Sequence, residues 1–245
     1  MNLDGNIGNG KAQLLFQYLN AKKEKGVYLG ANAALGRRGI RMKFFPENPI
    51  LVYRPFHLNE RNYLYLADRG RIYGDVRLFD DQGTGIHFYT NREDTIADQE
   101  MTVELSRIDL KQFKKVLPYL PDVEGWLGAS LHYVDSEGQM MLSADMNLDN
   151  FVYEKSPLGN WAMSGAYLPG DNNAHHVDGF ITYNDQEIIY MNGVYQADET
   201  GQENITGELE LQHFPLQVIN PERTESIYCR CRTFCPESPW RMAPG

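Results

Sequence analysis

Apolar and polar residues alternate along much of the chain, most regularly between Thr102 and Leu148. Side chains of a β-strand point to opposite faces in turn, so a period of two indicates strands with one apolar face. The polar side of these strands is predicted to carry Ser143, Asp145, Asn147 and Asp149. The positions predicted to share the apolar side are Leu127, Ala129, Leu131, Tyr133, Met140, Leu142, Ala144, Met146 and Leu148, joined further along by Met163, Ile181 and Leu209.

Similar segments before and after this stretch extend the predicted sheet. Residues 11–20 fit either a helix or a strand, and a strand is favoured because residues 26–35 can pair with it across a charged turn. The fold predicted from this pattern is mainly β: an elongated, curved antiparallel sheet with one apolar face, forming an open β-trough. The same periodicity also fits the inner face of a closed sandwich, and the pattern does not separate the two.

One short helix is predicted over residues 109–117, between two strands. Asp109 can cap its N-terminus, and Gln112 three residues later completes a capping box. Leu110, Phe113 and Leu117 give the helix an apolar side, so we expect it to plug or brace the trough.

An internal repeat links two parts of the chain. Residues 103–110 resemble residues 209–216, and each segment leads into a possible helix start and then a proline, Pro118 or Pro221. We therefore expect repeat units that begin near residues 102 and 208, within one trough segment that covers residues 1–221. The alternation ends after this segment, so residues 222–245 are expected to be an atypical tail that is non-native or disordered.

Charge and hydropathy exclude several classes of protein. The formal net charge is −10, which disfavours binding to nucleic acid because phosphate backbones are repelled. No apolar run reaches the roughly 20 residues of a membrane helix, and the polar N-terminus lacks the pattern of a signal peptide. We expect the chain to be a segment of a longer protein.

Candidate sites for chemistry are weak. Cys229, Cys231 and Cys235 offer three thiols without the fourth ligand of a tetrahedral metal site. His175 and His176 are neighbours, and neighbours on a strand face opposite sides, so they are not expected to share one metal ion. Acidic pairs occur in turns, where carboxylates are common for local hydrogen bonding. We expect no catalytic site, no metal and no cofactor.

The central unit resembles the TamB family of envelope proteins (translocation and assembly module, inner-membrane subunit), within the AsmA-like group and nearest to its Bacteroidota-type members. The resemblance rests on residues 103–110, the short helix that follows, residues 123–131 with Trp126, and residues 146–161 with Trp161, and it continues at residues 209–221. It covers most of residues 40–221. The anchor helix and the C-terminal part of the family have no counterpart in this chain.

This resemblance implies a non-enzymatic, periplasmic segment of an inner-membrane-anchored protein. Such proteins help outer-membrane protein assembly or secretion, or conduct phospholipid between the two membranes along an apolar groove. The implied partners are phospholipid acyl chains, which would contact the twelve apolar residues above, and an outer-membrane partner of the Omp85 type reached through the missing C-terminal part. The alternative is a closed β-sandwich that serves as a binding module of a cell-surface protein. A charge at Leu142 separates the two, because it would unfold a sealed core and leave an open trough folded.

Overall fold

A computed structural model describes residues 2–90, 98–115, 119, 121–197, 203–215 and 226–232, without the side chains at positions 69, 113, 197, 203 and 226–232. Alternating, β-branched and aromatic residues place most of these residues in strands, which belong to one sheet of 17 strands. The first ten strands are β1 Asn2–Gly8, β2 Lys11–Leu19, β3 Lys25–Gly36, β4 Gly39–Leu51, β5 Arg54–Pro55, β6 His57–Leu58, β7 Tyr63–Ala67, β8 Ile72–Phe79, β9 Gly85–Tyr89 and β10 Gln99–Asp109.

The second part of the sheet consists of longer strands joined mainly by tight turns. Helix α1, Leu110–Phe113, precedes it. Short 3₁₀ turns at Asp68–Gly70 and Asp171–Asn173 interrupt the strand order. The remaining strands are β11 Val123–Ser136, β12 Gln139–Tyr153, β13 Ser156–Pro169, β14 Ala174–Tyr183, β15 Gln186–Ala197, β16 Glu203–Pro215 and β17 Ser226–Arg232.

The strands follow one another as an antiparallel meander. Each long strand pairs with the next, from β1 with β2 through to β16 with β17, while β5 and β6 form a short excursion between β4 and β7. Within the described residues, β1 pairs only with β2 and β17 pairs only with β16, so the sheet is open. The predicted mainly β, open antiparallel architecture is confirmed, and residues 11–19 form strand β2 as favoured.

The enclosed core is small and lies in the first part of the sheet. Phe56 and Leu58, from the excursion after β4, pack with Leu78 of β8, and partly buried side chains of neighbouring strands surround them. Of the described residues in β11–β16, only Leu158, Ala174 and Ile188 are buried hydrophobics. The second part of the sheet therefore has no apolar layer of its own packed against it among the residues that the structure describes.

A β-bulge recurs at matching positions of the predicted repeat. The register between β10 and β11 shifts between Leu105 and Ile108, and the register between β16 and β17 shifts between Leu211 and Phe214. Each bulge contains a non-glycine residue in the left-handed region, Arg107 at φ 47° and His213 at φ 48°. The second helix start, after residue 216, lies outside the described residues.

Helix α1 begins where its sequence predicts and is short. The Asp109 carboxylate accepts a hydrogen bond from the Lys111 amide at 3.1 Å, so the predicted N-cap is confirmed. The Gln112 side-chain amide donates to the same carboxylate at 2.8 Å instead of accepting from the Asp109 amide as a capping box would require. Of the predicted apolar side, Leu110 is half-buried, while the Phe113 side chain and Leu117 lie outside the described part.

The sheet continues beyond residue 221, where the alternation was expected to end. Residues 226–232 form β17 and pair with β16, so this part of the predicted atypical tail is a strand. The pairing arises because a ladder needs only backbone donors and acceptors, which every residue except proline supplies. Residues 216–225 and 233–245 lie outside the described residues.

Candidate functional site

One side of the sheet, which we call the apolar face, is formed by unbroken rows of cross-strand pairs. Directly paired residues of an antiparallel ladder have their side chains on the same face. A row of nine side chains crosses β8 to β16 without a polar residue. It consists of Leu78, Ile86, Leu105, Ala129, Met146, Met163, Ile181, Ile189 and Leu211.

A second row runs beside the first over the same strands. It contains Val76, Phe88, Val103, Leu131, Ala144, Gly165, Gly179, Met191 and Leu209. Neighbouring strands lie about 4.8 Å apart, so eight steps from β8 to β16 give each row a length of about 38 Å. The apolar face is therefore a continuous stripe rather than a local patch.

All twelve residues predicted to share a face do so. Leu127 pairs with Leu148 and Tyr133 pairs with Leu142, which adds a further pair on either side of the two rows. Met140 lies two residues before Leu142 in β12 and continues the same side. That these residues contact lipid stays a prediction.

The apolar face is only partly covered. Leu131 keeps 42% of its surface exposed in the interior of the second row, and Leu209 keeps 43% at its β16 end. Isolated exposed leucines are normal, but large contiguous apolar surfaces mark interaction sites. The rows satisfy that description because their members adjoin across nine strands.

Aromatic residues border the stripe on both sides in β13–β15. Trp161 and Tyr183 lie on one side with ring centroids 5.1 Å apart, and the Trp161 indole N–H donates to the Leu158 carbonyl at 2.8 Å. On the other side the rings of Tyr167 and Tyr195 each lie 5.7 Å from the ring of His175. From Trp161 to Tyr167 the strand advances about 20 Å. Such rings suit a boundary between an apolar and an aqueous region.

The sequence did not identify these border residues as a group. Alternation in β13 does place Trp161 and Tyr167 in line with Met163, and this signal could have found them. Tyr183, His175 and Tyr195 join them only through the register of β14 and β15.

The opposite face is mainly polar over the same strands, with Phe180 as an apolar exception. The row adjoining the apolar ones contains Arg77, His87, Glu104, Ser130, Asp145, Ser164, Phe180, Tyr190 and Glu210. His87 Nε2 lies 3.1 Å from an Asp75 carboxylate oxygen, and the Tyr89 hydroxyl donates to Glu104 at 2.9 Å. The hydrogen bond to Glu104, followed by burial, raises the pKa of Tyr89. The sheet thus separates an apolar side from a charged, solvated side.

The two neighbouring histidines face different sides, as their sequence predicts. His175 pairs with Tyr195 and its Nδ1 is 2.6 Å from the Tyr167 hydroxyl, whereas His176 pairs with Val194 on the opposite face. Among the described side chains, no group of three His, Cys, Asp or Glu residues is placed to hold a metal ion. The cysteine side chains lie outside that set.

Comparison with known proteins does not assign this chain to a family. No protein-family model, no curated protein and no solved structure matches it. None of the helices in the described part of the chain is long and apolar enough to cross a membrane.

Proposed function

We propose that this chain is a non-enzymatic segment of a cell-envelope protein that conducts phospholipid along the apolar face or supports outer-membrane protein assembly. In this proposal the segment lies in the periplasm, and the parent protein carries the inner-membrane anchor and the contact to an Omp85-type partner. The resemblance to the TamB family supports the envelope setting.

The single observation that carries the proposal is the unbroken pair of apolar rows from β8 to β16. Acyl chains leave water with a gain of about 0.8 kcal/mol per CH₂ group, so a stripe about 38 Å long offers them continuous shelter. Its aliphatic and methionine side chains are flexible and carry no strong hydrogen-bonding groups. An acyl chain can therefore slide along them instead of being held at one position. The polar opposite face keeps the segment hydrated.

The alternative, a closed β-sandwich binding module, needs a second apolar layer on the same face. β11–β16 have no such layer within the described residues, and Leu131 and Leu209 are each more than two-fifths exposed. This exposure favours the open groove.

Phospholipid carriage tests the proposal. The chain is mixed with phospholipid vesicles and separated from them, and the lipid that stays with the protein is extracted and quantified. Met163→Glu introduces a charge into the first row, while Ser164→Glu places the same charge one residue away on the polar face. We expect Met163→Glu to lose most bound phospholipid and Ser164→Glu to retain it. Equal carriage by both variants, with both folded by circular dichroism, contradicts the proposal.

A further inference from the structure

The apolar face ends at a partly open cavity of about 340 Å³ beside helix α1. Its walls come from distant parts of the chain: Val27 of β3, Leu51 and Phe56 around the excursion, Ile86 of β9 and Ile108 of β10. Gln112 of α1 closes one side. The cavity lies where the early strands approach the start of the apolar rows, since Ile86 is the second member of the first row.

A strained hairpin forms one wall of the cavity. Val52 and Tyr53 connect β4 to β5 with φ values of 52° and 63°. A β-branched residue in this region is unusual and is found mainly where the surroundings enforce it. The Tyr53 amide donates to the Gly26 carbonyl at 3.0 Å, which fixes the hairpin against β3. The protein therefore holds Val52 against the cavity although the backbone there is unfavourable.

A second, open cleft of about 960 Å³ adjoins the cavity on the other side of the hairpin. Lys25, Tyr53 and Lys115 line it, and Lys115 Nζ donates to the Gln112 side-chain oxygen at 2.5 Å. Gln112 lines the cavity and Lys115 lines the cleft, so this hydrogen bond brings a side chain of each space into contact. Burial, and then the hydrogen bond with Tyr18, raises the pKa of Tyr53.

Two lysines, Lys25 and Lys115, line this cleft in an otherwise acidic chain, together with one carboxylate, Glu24. Six of the nine lysines lie in two short segments, residues 22–25 and 111–115, while the net charge of the chain is −10. Glu124 and Asp122 pair with Lys111 and Lys114. Lys25 and Lys115 line the cleft without a carboxylate partner among the described ion pairs. The acidic group that also lines it, Glu24, accepts a hydrogen bond from Asn20 at 2.7 Å.

The charged groups of the cavity itself are already paired. Arg54 contacts Asp80 at 2.6 Å and Gln82 at 2.7 Å, and both carboxylate oxygens of Asp109 accept hydrogen bonds within α1. The cavity thus suits hydrocarbon, while the cleft suits an anion.

We propose that cavity and cleft together bind an anionic lipid, with the end of one acyl chain in the cavity and the head group beside Lys25 and Lys115. This inference rests on the proposed function and assigns a holding site at one end of the groove. A cavity of 150 Å³ takes up benzene, so 340 Å³ accommodates on the order of 12 carbon atoms. The head group is a carboxylate or a phosphate, since both recognise an ammonium group in the same way.

Titration calorimetry with single-chain probes below their micellar concentrations tests the site. Dodecanoate, dodecyl phosphate and dodecyltrimethylammonium share one tail and differ in the head group. We expect both anions to bind at least tenfold more tightly than the cation, and the tighter anion identifies the head group. Equal binding of the cation overturns the proposal.

Variants assign the binding to the two spaces. Ile86→Trp fills the cavity, and Ile189→Trp is its control in the same row outside the cavity. We expect at least tenfold weaker binding for Ile86→Trp, and the same for Val27→Phe, which also lines the cavity, with Ile189→Trp unchanged. Unchanged binding by both filling variants overturns the proposal.

The head-group site has its own variants. The double variant Lys25→Gln with Lys115→Gln should weaken binding of both anions at least fivefold and leave binding of the cation unchanged. The control, Lys43→Gln with Lys155→Gln, should change the binding of neither. Equal effects of the two pairs contradict the assignment of the cleft. The two proposals fail separately: Met163→Glu leaves the cavity intact, so it should lose phospholipid carriage and keep dodecyl phosphate binding.

Discussion

Matched leucine truncations measure how differently the two parts of the sheet are enclosed. Leu78 lies in the small core at 5% exposure, and Leu131 lies in the second apolar row at 42% exposure. Both are strand residues with the same side chain, so β-propensity and the loss of methyl groups are the same in Leu78→Ala and Leu131→Ala. Only the packing around each residue differs.

The expected losses of stability follow from these exposures. Truncating a buried leucine costs about 3–5 kcal/mol, because transfer and cavity terms add, and Leu78→Ala falls in this range. Full burial of a leucine contributes about 1.5–3 kcal/mol, and Leu131, with 42% exposed, realises a little over half of it. Leu131→Ala should therefore cost about 1–2 kcal/mol.

Equilibrium urea unfolding, followed by circular dichroism and tryptophan fluorescence, gives the comparison. Substitution by a charged residue enlarges the difference between the two positions. Leu78→Asp should prevent folding, while the Leu131→Asp and Leu142→Asp variants should remain folded. Losses for Leu78→Ala and Leu131→Ala that agree within about 0.5 kcal/mol, near the limit to which such differences are resolved, would refute an open apolar face.

Three further perturbations test local features. Val52→Asn should raise the unfolding free energy by about 1 kcal/mol, because asparagine tolerates the left-handed region better than valine; a loss of stability would show that the Val52 side chain matters more than its backbone. Asp109→Ala should lower the free energy of unfolding by about 1 kcal/mol because it removes the N-cap, and Asp109→Asn should lower it less. The midpoints of urea unfolding of the two variants test this order. Tyr89 has a raised pKa in the folded protein, so the stability it contributes is present below its ordinary pKa and is lost as the pH rises through the folded value. Spectrophotometric titration should show late-ionising tyrosines, Tyr89 and Tyr53, and Tyr89→Phe should remove one of them; an unchanged titration would contradict the hydrogen bond to Glu104.

The apolar face could be predicted from the sequence because it depends on local order alone. In β12, Leu142, Ala144, Met146 and Leu148 must share a side whatever strand lies next to them, since the period of two is a property of the backbone. Once hairpins fix the register, the same reasoning extends from strand to strand. This is why Met163, Ile181 and Leu209 joined the predicted set correctly.

The cavity and the bulges could not be predicted, because they depend on contacts between distant residues or on unfavourable backbone. Nothing near Val27 in the sequence indicates that Ile108, about eighty residues later, will line the same cavity. Arg107 and His213 adopt positive φ without glycine, so no residue type signals the bulge. The strand at residues 226–232 could not be predicted because apolar and polar residues alternate only weakly there. Its pairing uses backbone groups, which leave no pattern in the sequence.

Lipid photo-crosslinking along β12 tests the open apolar face most directly. A benzoyl-phenylalanine placed singly at each position from Leu142 to Asp149, with phospholipid vesicles present, reports which side chains contact acyl chains. We predict crosslinks at the even positions, 142 to 148, and none at the odd positions, 143 to 149, because successive residues face opposite sides. Crosslinks that ignore this alternation, or favour Ser143, Asp145, Asn147 and Asp149, would contradict an apolar face that carries lipid.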